Sequence, residues 1–319
     1  MLHKDSLAGQ RGMMRSPRNF IWYALASICL TSINTSPATE IEPRAFSNTP
    51  VGLNFLIAGY VYTEGSVSFD PAVPLTDAQL HTNNAVLAYA RSLNAWGRSA
   101  KFDVILPHTW LEGSAQYAGQ PRNREVSGLA DPKFRVSVNF IGAPALSVPQ
   151  FKAYRQDLIV GASLQVMPPL GQYDDNRLVN IGTNRWAIKS ELGISKAWDA
   201  WTLEIIPGVT VYTDNTDFLN GGTLEQAPLY TLQGHLVRSF RNGIWGALDA
   251  LYYTGGRSTV NGVEGDTLQE NTRYGMTIAV PVDRYNSIKF YASTGGYSRT
   301  DNDYDAIGAA WQVRWGGGF

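Results

Sequence analysis

Apolar and polar residues alternate one for one along most of this chain, the period expected of strands whose two faces meet different surroundings. Phe134, Val136, Val138 and Phe140 alternate with Lys133, Arg135, Ser137 and Asn139. Tyr274, Met276, Ile278 and Val280 do the same against Arg273, Gly275 and Thr277. Over the last residues, Ala306 to Phe319, one face carries Ile307, Ala309, Trp311, Val313, Trp315 and Phe319, and the other carries Gln312 and Arg314. Lysine or arginine on a lipid face costs about 2–4 kcal/mol near the bilayer midplane. The faces carrying charge are therefore expected to line a lumen and the apolar faces to meet lipid.

Twelve such stretches can be read. They run from about Val51 to Tyr62, Thr82 to Leu93, Ser99 to Trp110, Asp131 to Phe140, Gln156 to Pro168 and Arg185 to Lys196. The others span about Trp201 to Thr213, Pro228 to Phe240, Ile244 to Thr254, Thr272 to Val282, Ser287 to Tyr297 and Ala306 to Phe319. Connections after odd strands are long and polar, such as Glu112 to Val126, Gly171 to Asn184, Asp214 to Gln226 and Gly255 to Thr267. Most of those after even strands are short, as at Asn94 to Gly97, Trp198-Asp199-Ala200, Arg241-Asn242-Gly243 and Asp283 to Asn286. The pattern predicts an all-β fold, a closed antiparallel transmembrane β-barrel of about twelve strands with long external loops, short periplasmic turns and both termini periplasmic.

Tryptophans support that orientation, since amphipathic rings favour the membrane interface. Trp96, Trp198, Trp201, Trp245 and Trp315 fall beside the short turns, and Trp110 and Trp186 at the opposite strand ends. A β-sandwich or propeller also alternates, but its strands are usually shorter, near 5–6 residues. No window after the N-terminal region is long and apolar enough for a spanning helix.

The N-terminal region reads as a secretory signal: Arg15 and Arg18 precede the apolar run Phe20 to Leu30, and Ser36-Pro37-Ala38 offers small residues for cleavage. Residues 1–38 are expected to be removed after Ala38, leaving 39–49 as a periplasmic N-terminal segment and 50–319 as the barrel. The single cysteine, Cys29, belongs to the signal, so the mature chain carries no thiol. Removing 1–38 leaves 22 basic against 26 acidic residues, a net charge of −4. That balance offers no basic patch for nucleic acid.

Several stretches resemble one family: Ser127-Gly128-Leu129-Ala130-Asp131-Pro132, Gly142-Ala143-Pro144-Ala145-Leu146, Pro169-Leu170-Gly171-Gln172-Tyr173, Asn180 to Trp186, and Trp311-Gln312-Val313-Arg314-Trp315. They are similar to the MetA-pathway phenol-degradation family of transporter-like outer-membrane barrels, and the likeness spans most of the mature chain. Ala130 stands where the family's first motif usually has a second glycine. The resemblance implies an outer-membrane protein of a Gram-negative cell that takes up aromatic compounds.

The candidate functional residues are those that alternation turns inward: Lys101, Asp103, Lys133, Arg135, Lys189, Glu191, Glu204, His235, Asp249, Arg273, Lys289 and Arg314. Interior charges of both signs can tune selectivity or knit a plug by pairing. His81, His108 and His235 lack the neighbouring serine of a barrel phospholipase, so no catalytic residue is assigned. Asp301 to Asp305, Asp174-Asp175 and Asp214 to Asp217 lack the glycine and distal glutamate of a calcium loop. No metal and no cofactor are expected. The expected partners are outer-membrane lipid, small solutes and, through the strand ending at Phe319, the barrel assembly machinery. The sequence predicts a channel passing small, aromatic or hydrophobic molecules by diffusion. A sealed structural barrel and a hydrolase acting on lipid or glycan are the alternatives.

Overall fold

The computed structural model describes residues 41–66, 75–117, 119–300 and 303–318. The expected signal, residues 1–38, and the terminal Phe319 lie outside them. The strands are β1 (Leu53–Ser66), β2 (Leu75–Ala95), β3 (Arg98–Tyr117), β4 (Gln120–Leu129), β5 (Lys133–Ile141), β6 (Leu158–Met167), β7 (Ala187–Trp198) and β8 (Trp201–Tyr212). They continue with β9 (Asn215–Phe218), β10 (Gly222–Gln226), β11 (Leu229–Ser239), β12 (Trp245–Gly255), β13 (Ser258–Val260) and β14 (Val263–Glu264), then β15 (Gln269–Pro281), β16 (Asn286–Ser298) and β17 (Tyr304–Gly316). One short helix, α1 (Val148–Phe151), interrupts the connection from β5 to β6.

Thirteen of these strands form one sheet in the order β2-β1-β17-β16-β15-β12-β11-β8-β7-β6-β5-β3-β4, and a further pairing of β2 with β3 closes it. Every pair is antiparallel, including the seam in which Leu53 faces Gly316 and Gly65 faces Tyr304. β4 and β5 share one position, β4 pairing with the His108–Tyr117 half of β3 and β5 with its Ala100–Ile105 half. The wall thus has twelve staves. The ring of staves closes on itself, as a sheet in hydrocarbon needs, while β4 pairs on one side alone, with β3.

The alternation fixes the faces. Outward side chains such as Val136, Leu164, Leu192, Met276 and Ile307 are exposed, while their inward neighbours Arg135, Gln165, Glu191 and Thr277 are buried. An apolar belt of that extent is stable only against lipid or a partner. Short turns cluster at one end of the barrel. Asn94 to Gly97 turns through Trp96 and Gly97, both at positive φ, with the Asn94 side chain accepting from the Gly97 amide at 2.7 Å. At Arg241–Gly243 the Asn242-Gly243 pair supplies the positive φ values that such a turn requires.

Three expectations are corrected. Glu112 to Val126 is not a polar loop: β3 and β4 extend through it as a hairpin, and its charges reflect a ladder with water on both faces. The loops 214–226 and 255–267 contain β9, β10, β13 and β14, which pair as a small second sheet at the long-loop end. Trp245 does not join an interfacial girdle; it is buried with Val237, Ala247 and Ala279 because the turn before β12 sets its parity inward.

Val136→Lys places a charge on the exposed outer face and is expected to lower the unfolding free energy in lipid by about 2–4 kcal/mol. Urea titration of the vesicle-inserted protein measures it, and an unchanged midpoint would contradict the facing.

Candidate functional site

The inward residues meet as cross-strand partners, so the polar belt follows from the register. Asp103 on β3 faces Arg135 on β5, and Arg135 Nε donates to the Asp103 carboxylate at 2.9 Å. On β7, Lys189 and Glu191 share the inner face and pair at 2.6 Å. Glu191 also accepts from Ser163 of β6 at 3.0 Å and from Gln233 of β11 at 3.2 Å. Glu204 on β8 accepts from Ser195 at 3.0 Å. His235 faces both Glu204 and Asp249, its Nδ1 lies 2.8 Å from Asp249, and Thr277 donates to the other Asp249 oxygen at 3.0 Å. Lys101 and Lys133 are buried on the same inner surface.

The remaining three candidates make other contacts. Arg273 lies toward the long-loop end, stacked 3.5 Å over Tyr304 and 3.6 Å from the Asp303 carboxylate. Lys289 sits 5.7 Å from the Tyr291 ring. Arg314 lies at the short-turn end, where it donates to the Arg284 carbonyl at 2.9 and 3.0 Å.

What fills the space between them is the chain's own N-terminal segment. The described part of the segment expected as a periplasmic tail, 41–49, lies inside the barrel, and residues 42–50 are all buried. None of it belongs to a strand. Glu42 pairs with Arg135 and its amide donates to Gln233 at 3.1 Å. The Arg44 amide donates to Glu204, and its guanidinium lies 5.3 Å over the Trp245 ring. Lys101 donates to the Ala45 carbonyl, Asn139 to that of Phe46 at 3.0 Å, and Asn48 to that of Pro144 at 3.2 Å. Phe46 packs on Ile206 and onto the bare backbone of Gly161 and Gly193, where any Cβ would collide with its ring. Ile41 ends the described segment beside a small cavity of about 20 Å³, lined also by Val61, Asp249, Thr277, Tyr291 and Tyr304.

Glu42 and Arg44 carry the segment's charge and were not among the sequence candidates. Alternation speaks only of strands, and nothing in a ten-residue stretch without a period reveals that it turns back into the lumen. Burial alone would raise the Glu42 carboxyl pKa, but the charges of Arg135, Lys189 and Lys289 outweigh it and lower the value to about 2. A depressed carboxyl stabilises the attached segment above its ordinary pKa, and that stabilisation is lost as pH falls through about 2.

No hydroxyl is hydrogen-bonded to His235 or His108 among the described residues. His235 Nε2 is buried without a hydrogen bond, and His108 stacks 4.3 Å from Trp110. Those residues also hold no group of three or more metal-ligating side chains. Asp301 and Asn302 of the acidic loop lie outside the described residues.

Three of the stretches that suggested a family, 127–132, 169–173 and 180–186, meet at the long-loop end, while 142–146 and 311–315 lie at the short-turn end. The Asp131 carboxylate, at the break between β4 and β5, accepts from the Gly171 and Thr183 amides at 2.8 Å each and from the Thr183 hydroxyl at 2.7 Å. The Gln172 amide donates to the Leu129 carbonyl at 2.8 Å, and the Gly182 amide to that of Gln172, also at 2.8 Å. One carboxylate thus ties the 168–186 loop to the wall where the fourth stave breaks.

A closed twelve-stave barrel with an apolar outer belt and a charged interior is an outer-membrane β-barrel of a Gram-negative cell. The family model described as "Putative MetA-pathway of phenol degradation" matches residues 65–311, and the chain belongs to that family. The outer membrane channel COG4313 of Pseudomonas putida F1 is similar in fold, with a TM-score of 0.70 at 17% identity over 86% of this chain and all of that one. A weaker likeness, TM-score 0.45 at 10% identity, extends over 94% of this chain and 97% of the Pseudomonas putida toluene transporter TodX. No curated protein matches the chain.

Gly193→Leu forces Phe46 off the wall. Overpacking of about 1–3 kcal/mol raises the maleimide labelling rate of a cysteine at Ser47, limited by local opening, roughly 5- to 150-fold. Unchanged labelling would place the segment elsewhere.

Proposed function

We propose that this protein is a gated outer-membrane channel that admits small molecules, aromatic ones among them, from the long-loop side and releases them to the periplasm at the short-turn side. The observation that carries the reading is the attachment of residues 41–50. They fill the lumen yet contribute no strand to the wall, and their polar anchors are side chains already placed on the inner face. Withdrawal of the segment breaks the Glu42–Arg135 pair, the hydrogen bonds to Gln233, Glu204, Lys101, Asn139 and Ser92 and the packing of Phe46 and Arg44, while the ladder of twelve staves stays whole. A sealed barrel has no need of a separable stopper, because inward side chains from a narrow barrel can fill its interior directly.

Passage in this reading is diffusive and involves no covalent step. The twelve inward residues from Lys101 to Arg314 line the path, with the belt around Arg135 and Glu191 as its narrow polar zone and the Ile41 cavity above it. Membership in a family named for phenol degradation supports small aromatic molecules as the cargo. The signal at 1–38 delivers the chain to the periplasm, and the strand ending at Phe319 addresses it to the assembly machinery. The even number of staves puts both ends of the wall on one face, the periplasmic one in this reading.

Deleting residues 41–50 from the mature protein tests this in liposomes. The folded deletion barrel is expected to pass phenol and a pentose several-fold faster than the intact chain. A folded deletion barrel that passes neither would make this a structural barrel with a closed interior.

A further inference from the structure

Among the interior contacts, the Glu42 carboxylate is unusual in being brought to the wall from outside it. The inner faces of β3, β5, β7 and β8 carry Lys101, Lys133, Arg135 and Lys189 against Asp103, Glu191 and Glu204, an excess of one positive charge before Glu42 arrives. Glu42 is 4% exposed and meets the Nη1 side of the Arg135 guanidinium, whose Nε is held by Asp103 at 2.9 Å. Lys189 and Lys289 also act on it electrostatically. A buried cation left without its anion is strongly unfavourable, and removing one partner of such a pair is worse than never having built it. Withdrawal of the segment thus takes from the Arg135 guanidinium the carboxylate at its Nη1 and leaves it Asp103 at Nε.

We infer that the basic wall around Arg135 is a binding site for the carboxylate of a small organic acid, and that Glu42 is its resident competitor. The inference rests on the channel reading and names a solute class for it. A carboxylate fits because a carboxylate is what the site holds: a planar two-oxygen anion beside a guanidinium is the pairing that arginine geometry favours. Phe46, packed on Gly161, Gly193 and Ile206, marks the apolar space that the ring or chain of the acid would occupy once the segment leaves. A tethered carboxylate competes at an effective concentration in the millimolar range for short linkers, so a free acid displaces it when present at about that level or when its apolar part adds affinity. Arrival of the acid and release of the stopper are then one exchange, anion for anion.

Residues 41–319 contain no cysteine, so Ser47→Cys gives a single label site on the segment. Maleimide labelling of this variant in proteoliposomes is measured with sodium benzoate, with sodium chloride at equal ionic strength and with benzyl alcohol. Benzoate is expected to raise the rate saturably, with chloride and benzyl alcohol having no such effect. With Glu42→Gln added, labelling is expected to be fast from the start, by roughly tenfold or more given the loss of a buried pair, and benzoate to add little. Equal acceleration by all three additives, or protection unchanged by Glu42→Gln, would overturn the site.

Calorimetric titration of benzoate into the Glu42→Gln protein and benzoate flux separate the two claims. Binding tighter than to the intact chain, without flux, supports the site and removes the channel reading. Flux without binding overturns the site and leaves the channel.

Discussion

The structure depends on one constraint: a closed sheet of twelve staves encloses charged side chains in a space with little water, and each of them must find a partner there. The ladder settles most of this on its own, because residues facing one another across it are matched. Asp103 meets Arg135, Ser163 meets Glu191, and Asp249 meets His235. What the wall leaves uncompensated, residues 41–50 supply. Glu42 brings negative charge to a basic stretch, and the Arg44 amide reaches the Glu204 carboxylate three staves away. The same polarity that forces the interior to be paired makes its stopper separable, since an apolar plug of equal size would bury surface with no exchangeable partner.

Two kinds of tie therefore coexist at different strengths. The wall is held by backbone ladders that run round the whole ring. The segment is held by side chains that can exchange partners. Between them, Phe46 against Gly161 and Gly193 supplies the close packing that seats the segment at one depth. At the other end of the barrel, Asp131 performs a similar service for the 168–186 loop, gathering the amides of Gly171 and Thr183 where the fourth stave breaks.

Much of this was legible in the sequence wherever one face met lipid. Lys133, Arg135, Lys189, Glu191, Arg273 and Arg314 could be turned inward because their neighbours Phe134, Val136, Ile188, Tyr274 and Trp315 are apolar with a period of two. The signal fades where lipid ends. Residues 112–117 and 120–126 form strand with water on both faces, so their charges mimic a loop. Trp245 looks interfacial by position alone, but a turn of three residues before it sets its parity. The inward path of 41–50 is set by long-range contacts to Gln233, Glu204 and Arg135, none of which leaves a local pattern in the segment. The family motifs could be seen as strings, whereas the convergence of 127–132, 169–173 and 180–186 on Asp131 needed the fold.

The most direct test of a lumen closed by an exchangeable charge pair is a charge swap read by conductance in planar bilayers. Glu42→Arg and Arg135→Glu are each predicted to open the barrel by placing like charges together, and the double variant to return it to the closed level of the native protein. Two single variants as closed as the native chain, or a double variant as open as either single one, would contradict the account.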